Sequence, residues 1–210
     1  MTDSILVLGA GGHGKVVADC ALSCGLVVAG FVDDAVRPGL QILGIPVLGP
    51  MSELPRLRAA AGAVVVAIGD GATRVGLIEH SRSIGLRIPA LIHPSATVSR
   101  FASIDDGTLV LAQAAINAGA QVGLGVIINT GATVDHDCIV GDGVHVCPGA
   151  HLAGNVRIGR FSWIGIGSCV KQGTVIGRNS VIGAGAAVVS DVADGTTVVG
   201  VPAAPAKANT

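Results

Sequence analysis

The chain has 210 residues, 13 Lys+Arg against 14 Asp+Glu, 32 glycines, and only 2% aromatic residues with no tyrosine. Near-neutral charge lacks the Lys/Arg surplus of a nucleic-acid surface, and no apolar run approaches the roughly 20 residues a membrane-inserted helix needs. Five cysteines without a CxxC pair fit reduced thiols in a cytoplasmic protein rather than a disulfide scaffold.

A core with almost no rings must be built from Ala, Val, Ile and Leu. The opening MTDSILVLGAGG has no basic segment ahead of its apolar stretch, so it does not read as a signal peptide. Ile5–Leu8 reads as a buried strand running into Gly9-Ala-Gly11-Gly12-His13-Gly14, and a helix follows over Lys15–Cys24. Val27–Val32 is a second strand, ending at Asp33-Asp34. Residues 51–60 and 72–84 read as helices, with a buried strand at Val64–Ile68 before Gly69. Alternating β and α elements predict a parallel sheet with helices on it. Residues 1–92 are thus expected to form an α/β domain of half-Rossmann βαβαβ type.

The glycine loop satisfies G-x-G-x-x-G between a strand and a helix, with Asp33 about 20 residues on, where a ribose-binding acid would sit. Bare backbone N–H groups at a helix N-terminus suit a phosphate. A nucleotide or phosphate ligand and a merely tight turn are both open readings. NAD is a weaker one, because a dinucleotide fold needs a second βαβ half.

From Val98 to Val188 an aliphatic residue recurs every six positions, sixteen times without a break, and all but one are β-branched. A mostly small residue sits two places before each, and Gly often follows, as at Gly123, Gly141, Gly159, Gly165, Gly177 and Gly183. Period six fits short strands broken by tight turns. Three strands make a coil of about 18 residues, and coils stack on one another. Residues 93–194 are therefore expected to form a parallel β-helix, with the following glycine freeing each corner. Residues 195–210 read as an extended Pro/Ala-rich tail.

Asp135-His136-Asp137 is the densest polar cluster of the repeat. The register points His136 and Asp137 outward, with Ala118 and Gly154 one coil to either side. An imidazole accepts a proton near neutral pH, and a neighbouring carboxylate fixes its tautomer and raises its basicity. That combination favours a general base over a solvated corner histidine. By the same register His145 also points outward, beneath Trp163 one coil on. His93 and His80 read as structural or solvated, and His151 as outward without a distinctive partner. Cys20, Cys24 and Cys138 read as core, while Cys147 and Cys169 show neither a base partner nor metal-ligand spacing.

The sixteen hexads resemble the left-handed β-helix of the hexapeptide-repeat acyltransferases. The segments ILVLGAGGHGKVV, FVDD, VAIGD, LIHPSATVS, INTGATVDHDCIVGD, HVCPGAHLAGNVRIG, WIGIGSCV and VVGVPA resemble, in order, one branch: acetyltransferases of nucleotide-linked amino sugars or sialic acid, similar to those acting on bacillosamine and perosamine. The resemblance implies a homotrimer with acetyl-CoA along the β-helix at a subunit interface and no metal. It implies that His136 is the general base and Asp137 its tuning acid. His145, Gly154, Ile166 and Ala184 would contact acetyl-CoA, while Gly11, Gly12, His13, Asp33, Asp34 and Gly69 would hold the nucleotide sugar. The implied reaction is N-acetylation of a UDP- or GDP-linked 4-amino-6-deoxy sugar, with O-acetylation of sialic acid as the alternative. An NAD-dependent oxidoreductase and a non-catalytic sugar-nucleotide-binding protein are the rival readings. Many relatives carry Lys or Arg directly after GVPA; here the first tail cation is Lys207.

Overall fold

The computed structural model describes residues 4–206; residues 1–3 and 207–210, with Lys207 among them, lie outside that range. The first domain runs β1 (Ser4–Leu8), α1 (Gly12–Ser23), β2 (Val27–Val32), β3 (Gln41–Ile42), β4 (Ile45–Gly49), α2 (Leu54–Leu57), β5 (Ala63–Val66) and α3 (Gly71–Ser83). The sheet order is β3-β4-β2-β1-β5, parallel except for the β3–β4 hairpin. β1 and β5 are continuous apolar runs because helices and the second domain cover both faces.

Two local expectations change. The helix expected over 51–60 shrinks to a 3-10 turn and the four residues of α2. Its Ala-rich continuation has helical propensity, but the chain must turn back to enter β5 beside β1, and Ala60 N closes that turn on the Leu57 carbonyl at 2.8 Å. The β3–β4 hairpin escaped the sequence reading because its two-residue turn puts Leu43 and Gly44 at φ +53° and +76°. Both central residues of such a turn need positive φ, and Leu is an unusual choice there.

The second domain is a left-handed parallel β-helix. Each hexad closes a two-residue strand on its aliphatic residue, and strands pair in parallel 18 residues apart, as in Ala115 with Thr133 and Ile127 with His145. The three sheets are the three faces of a prism. One face starts at Leu91–Ile92, the second at Thr97–Val98 and the third at Ser103–Ile104. Pairing thus begins at Leu91, inside the segment assigned by sequence to the first domain. The aliphatic column and the small residues two places before it form one continuous buried core.

The corner glycines divide into two kinds, which corrects the sequence reading. From Val110 onward the left-handed corners lie three places before the aliphatic residue, as at Gly131 (φ +65°) and Gly149 (φ +62°). The glycines that follow the aliphatic residue do not turn the chain. A Cβ at Gly159 or Gly177 would collide with the backbone nitrogen of the next coil, at Arg178 or Asp194. They set the spacing between coils. The tail differs as well: Thr197–Val199 pairs with Val181–Ile182, and Ala204–Pro205 folds back antiparallel on it. This covers an otherwise open sheet edge.

The first domain packs on the Leu91 face. Ile5 and Val7 of β1 and Val17, Ala18 and Ala21 of α1 share a core with Leu91, Leu109, Leu111 and Ile127. α3 lies along the corner between the third face and this docking face. A Cβ at Gly107 or Gly125 would come 2.6 Å from Ile78 of α3, and a Cβ at Gly71 of α3 would meet the Gly143 carbonyl. Glycines 18 residues apart thus cut a bare groove for the helix.

Candidate functional site

The glycine loop is built by two tight glycines around an open centre. Gly9 sits at φ +106°, and its Cβ would come 2.8 Å from the Ala67 carbonyl; a Cβ at Gly14 would collide with the Gly9 carbonyl. Gly11 and Gly12, in contrast, have nothing within 4 Å of where a Cβ would be. Gly11 is the N-cap of α1 and carries no side-chain cap, so the first-turn amides are left for a ligand. Asp33 is occupied with the loop itself. One carboxylate oxygen accepts from Ala10 N at 2.7 Å, the other from Ala35 and Val36 N. Partial burial pushes its carboxyl up, but these three amides more than offset that and hold it below the usual range. Asp34 accepts from Met51 N at 2.8 Å. α3 leads directly into the β-helix, so the second βαβ half of a dinucleotide fold is replaced by the docking face.

His13 follows the open glycines and faces the β-helix. Its ring centroid lies 6.0 Å from that of His145, which lies 4.3 Å from Trp163. Asn129 Nδ2 is 3.0 Å from His145 Nε2, so with the amide donating, the imidazole proton sits on Nδ1. Register alone placed His145 outward, but the docked first domain buries it to 7% exposure. His13 Nε2 is buried without a hydrogen-bond partner among the described residues, and buried His145 Nδ1 faces the Gly69 carbonyl without reaching hydrogen-bond geometry. Such atoms are costly unless something fills them. Burial, followed by the charge of Arg74, lowers the His13 pKa to about 4. Burial, Arg74 and His13 lower that of His145 to about 3, opposed in part by the Gly69 carbonyl. Both imidazoles are therefore neutral at physiological pH. Two grooves meet at His145 and Trp163. One is lined by Gly69, Asp70, Gly143 and Phe161. The other runs up the β-helix past Ile166, Gly183 and Ala184.

His136 and Gly154 lie elsewhere, on the corner between the second and third faces. Asp137 occupies a left-handed turn position, at φ +59°, that the coil below gives to Gly119 and the coil above to Asn155, a conformation Asp tolerates. This throws its carboxylate beside the preceding ring: His136 Nδ1 donates to Asp137 Oδ2 at 2.8 Å. Asp135 Oδ1 accepts from His136 N at 2.7 Å and from Asn117 Nδ2 at 2.8 Å. The bond to Asp137, then the charge of Asp135, raise the His136 pKa. Glycines above and below make room. A Cβ at Gly154 would collide with His136 Nε2, and one at Gly119 would come 2.5 Å from Asp137 Oδ1. The result is an exposed imidazole with its Nδ1 proton held and its Nε2 lone pair open, which is the geometry of a general base.

The expected site residues thus form two groups. Gly69, His145, Ile166 and Ala184 line connected grooves at the docking face, with the His13 ring behind His145 and Gly11 and Gly12 open on the adjoining loop; His136, Asp137 and Gly154 share the opposite corner. His151 does have a partner, Thr133 Oγ1 at 3.0 Å. Sequence reasoning missed Asn129 and Arg74. Asn129 lies within the quoted polar segment and could have been found by register, since it precedes His145 by 16 residues, close to one coil. Arg74 looks like any helix-surface cation in sequence.

Comparison with known proteins agrees with this architecture. Residues 4–80 match the family described as PglD N-terminal domain, and residues 155–189 match the bacterial transferase hexapeptide. The acetyltransferase domain of PglB from Neisseria gonorrhoeae, solved with acetyl coenzyme A, is 44% identical. That match covers 98% of this chain and 100% of that one, with a TM-score of 0.93. PerB from Caulobacter crescentus, solved with CoA and GDP-perosamine, is 40% identical over 97% of each chain, TM-score 0.93. WeeI from Acinetobacter baumannii is 29% identical over 96% and 99% of the chains, TM-score 0.89.

Proposed function

The chain belongs to the family of hexapeptide-repeat sugar acetyltransferases with a PglD-type N-terminal domain, and from that premise we propose that it moves the acetyl group of acetyl-CoA onto the amine of a UDP- or GDP-linked 4-amino-6-deoxy sugar in the cytoplasm, for surface-polysaccharide or glycoprotein assembly. His136, with its Nδ1 held by Asp137, carries this reading. The nucleotide sugar lies against Gly11, Gly12, His13 and Gly69, with Asp33 and Asp34 shaping the rim. The pantetheine arm of acetyl-CoA runs past Ile166, Ala184 and Gly154.

His136 Nε2 takes a proton from the attacking amine, whose nitrogen bonds to the thioester carbonyl carbon. The tetrahedral intermediate collapses, the C–S bond breaks, and the sulfur leaves as thiolate and takes up a proton as CoA. No covalent enzyme intermediate is needed. Asp137 stabilises the imidazolium while the proton is held.

The position of His136 supports a homotrimer. In a three-faced prism, the corner between the second and third faces lies opposite the docking face. A chain's own first domain therefore sits across the prism from its own His136. A second copy, packed side by side, would bring this corner against the groove of His145, Ile166 and Ala184. Each site would then take its base from one copy and its sugar pocket from the next.

The first test is thiol release from acetyl-CoA against UDP-, GDP- and dTDP-amino sugars and sialic acid. Release with an amino sugar supports the proposal. Release with sialic acid alone makes the enzyme an O-acetyltransferase, and silence across the panel favours a non-catalytic binding protein. Co-expression of the His136→Ala and His13→Ala chains tests the shared site. Mixed trimers regain activity if the base and pocket come from different copies, and stay inactive if each chain holds a whole site.

A further inference from the structure

Arg74 is completely buried, at 0% exposure, and its hydrogen bonds go to backbone carbonyls rather than to a carboxylate. Nε donates to Gly125 O at 2.6 Å. Nη1 donates to Ile68 O and Gly69 O at 2.6 and 2.8 Å, and Nη2 to Gly143 O and Val144 O at 2.7 and 3.3 Å. The five bonds match the five N–H donors of a guanidinium. Burying a cation this way is costly, and five aimed carbonyl dipoles offset the lost water only while the geometry holds. Burial lowers its pKa to about 10, with Asp70 opposing, so the group stays charged.

The acceptors come from both domains. Ile68 and Gly69 belong to the segment leaving β5, and Gly69 lines the groove beside His145. Gly125, Gly143 and Val144 belong to the β-helix corner beneath α3. We propose that Arg74 is a positioning residue of the acceptor pocket: it ties the Ile68–Gly69 segment to the β-helix corner at Gly143, and so sets the width of the pocket in which Gly69 and His13 meet the nucleotide sugar. This rests on the reading of His13 and Gly69 as the sugar-nucleotide pocket.

The charge has a second effect. Arg74 disfavours protonation of both imidazoles, after burial itself. Other charged groups on the surrounding elements are Asp70 at the N-cap of α3, Asp33 and Asp34 at the end of β2, Lys15 on α1, and Asp142 on the corner below. Asp70, Asp33, Asp34 and Asp142 accept from the backbone amides of Thr73, Ala10, Met51 and Leu124 respectively. Both rings therefore stay uncharged, and His13 offers the nucleotide sugar one open nitrogen.

Arg74→Lys and Arg74→Gln separate anchoring from charge. Lys keeps the cation but cannot span both domains with five bonds; Gln loses the charge too. In the full-length protein, with its fold checked by circular dichroism, both variants raise KM for the amino-sugar nucleotide roughly tenfold or more, while kcat and KM for acetyl-CoA stay within about twofold. Titration of the histidine C2–H signals by NMR keeps His13 and His145 below pH 5 in the wild type and Arg74→Lys, and moves them upward in Arg74→Gln. Equal losses for both substrates, or a lower Tm with unchanged KM values, would overturn the proposal and leave Arg74 a structural clamp. His13→Ala is the control. If it leaves KM for the nucleotide sugar unchanged, the pocket assignment itself fails, and the proposal with it. If it raises that KM while the Arg74 variants do not, only the Arg74 proposal fails. If Arg74→Gln does not fold, the KM pattern of Arg74→Lys still decides the anchoring.

Discussion

His136, the base of the proposed mechanism, is held by very little of the β-helix. The turn position taken by Asp137 would suit glycine for the backbone, and placing a carboxylate there fixes the neighbouring ring in one hydrogen bond. His136→Ala is expected to lower kcat by 10²–10⁴, the range for removing a general base, with both KM values nearly unchanged; near-wild-type turnover would remove His136 from the mechanism. The acid limb of the pH–rate profile gives a finer test. The base works unprotonated, so activity falls as pH drops through the His136 pKa, which Asp137 and Asp135 raise. Asp137→Asn removes the largest cause of that rise, and the limb moves to lower pH while the plateau falls. An acid limb that stays in place would assign it to another group.

At the scale of elements, the hexad run was legible because spacing is arithmetic: sixteen aliphatic residues at period six admit few structures. The split between two kinds of glycine was not, because both kinds look identical in a sequence. One kind is required by its own φ, the other by what packs above it. Gly167 and Gly159 separate the two causes. Gly167 sits at φ +65° with nothing near its missing Cβ, whereas Gly159 has ordinary φ and faces the Arg178 backbone. Gly167→Ala is expected to cost about 1 kcal/mol, the left-handed penalty alone. Gly159→Ala is expected to cost about 3 kcal/mol, because backbone cannot yield as a side chain does. Urea midpoints at matched m-values measure both, and the reverse order would return the turning role to the glycine after the aliphatic residue. The same limit hid the α3 groove. Gly107, Gly125 and Gly143 stand 18 apart at left-handed corners, where φ alone favours glycine, and only the docked helix shows that a side chain at Gly107 or Gly125 would also strike α3.

For the whole molecule, the two-domain order and the His136 cluster could be read from residue types and spacing, because each depends on neighbours along the chain or one coil away. The burial of His145 and the role of Arg74 could not, since both arise only when the first domain closes over the docking face. That closure has a measurable consequence in acid. His13 and His145 have folded-state pKa values lowered from 6.5 to about 4 and about 3, so between those values and 6.5 the unfolded chain binds protons that the folded chain refuses. Stability therefore falls as pH drops below about 6.5, by up to about 1.4 kcal/mol per pH unit for each histidine. Allowing for the partial exposure of His13, each loss is on the order of 2–3 kcal/mol by pH 4. Asp33 and Asp70 also have lowered pKa values, but their contribution is lost only as pH falls through the carboxylate range, below the window where the histidines act. His136 works in the opposite sense: its raised pKa adds stability at low pH that disappears as pH rises through the folded value. Unfolding midpoints between pH 7 and 4.5 should thus fall steeply in the wild type and less so in His145→Gln, which has no proton to refuse. Parallel slopes in the two proteins would mean that the closed domain junction does not keep His145 neutral, and the loss in that window would then belong to His13.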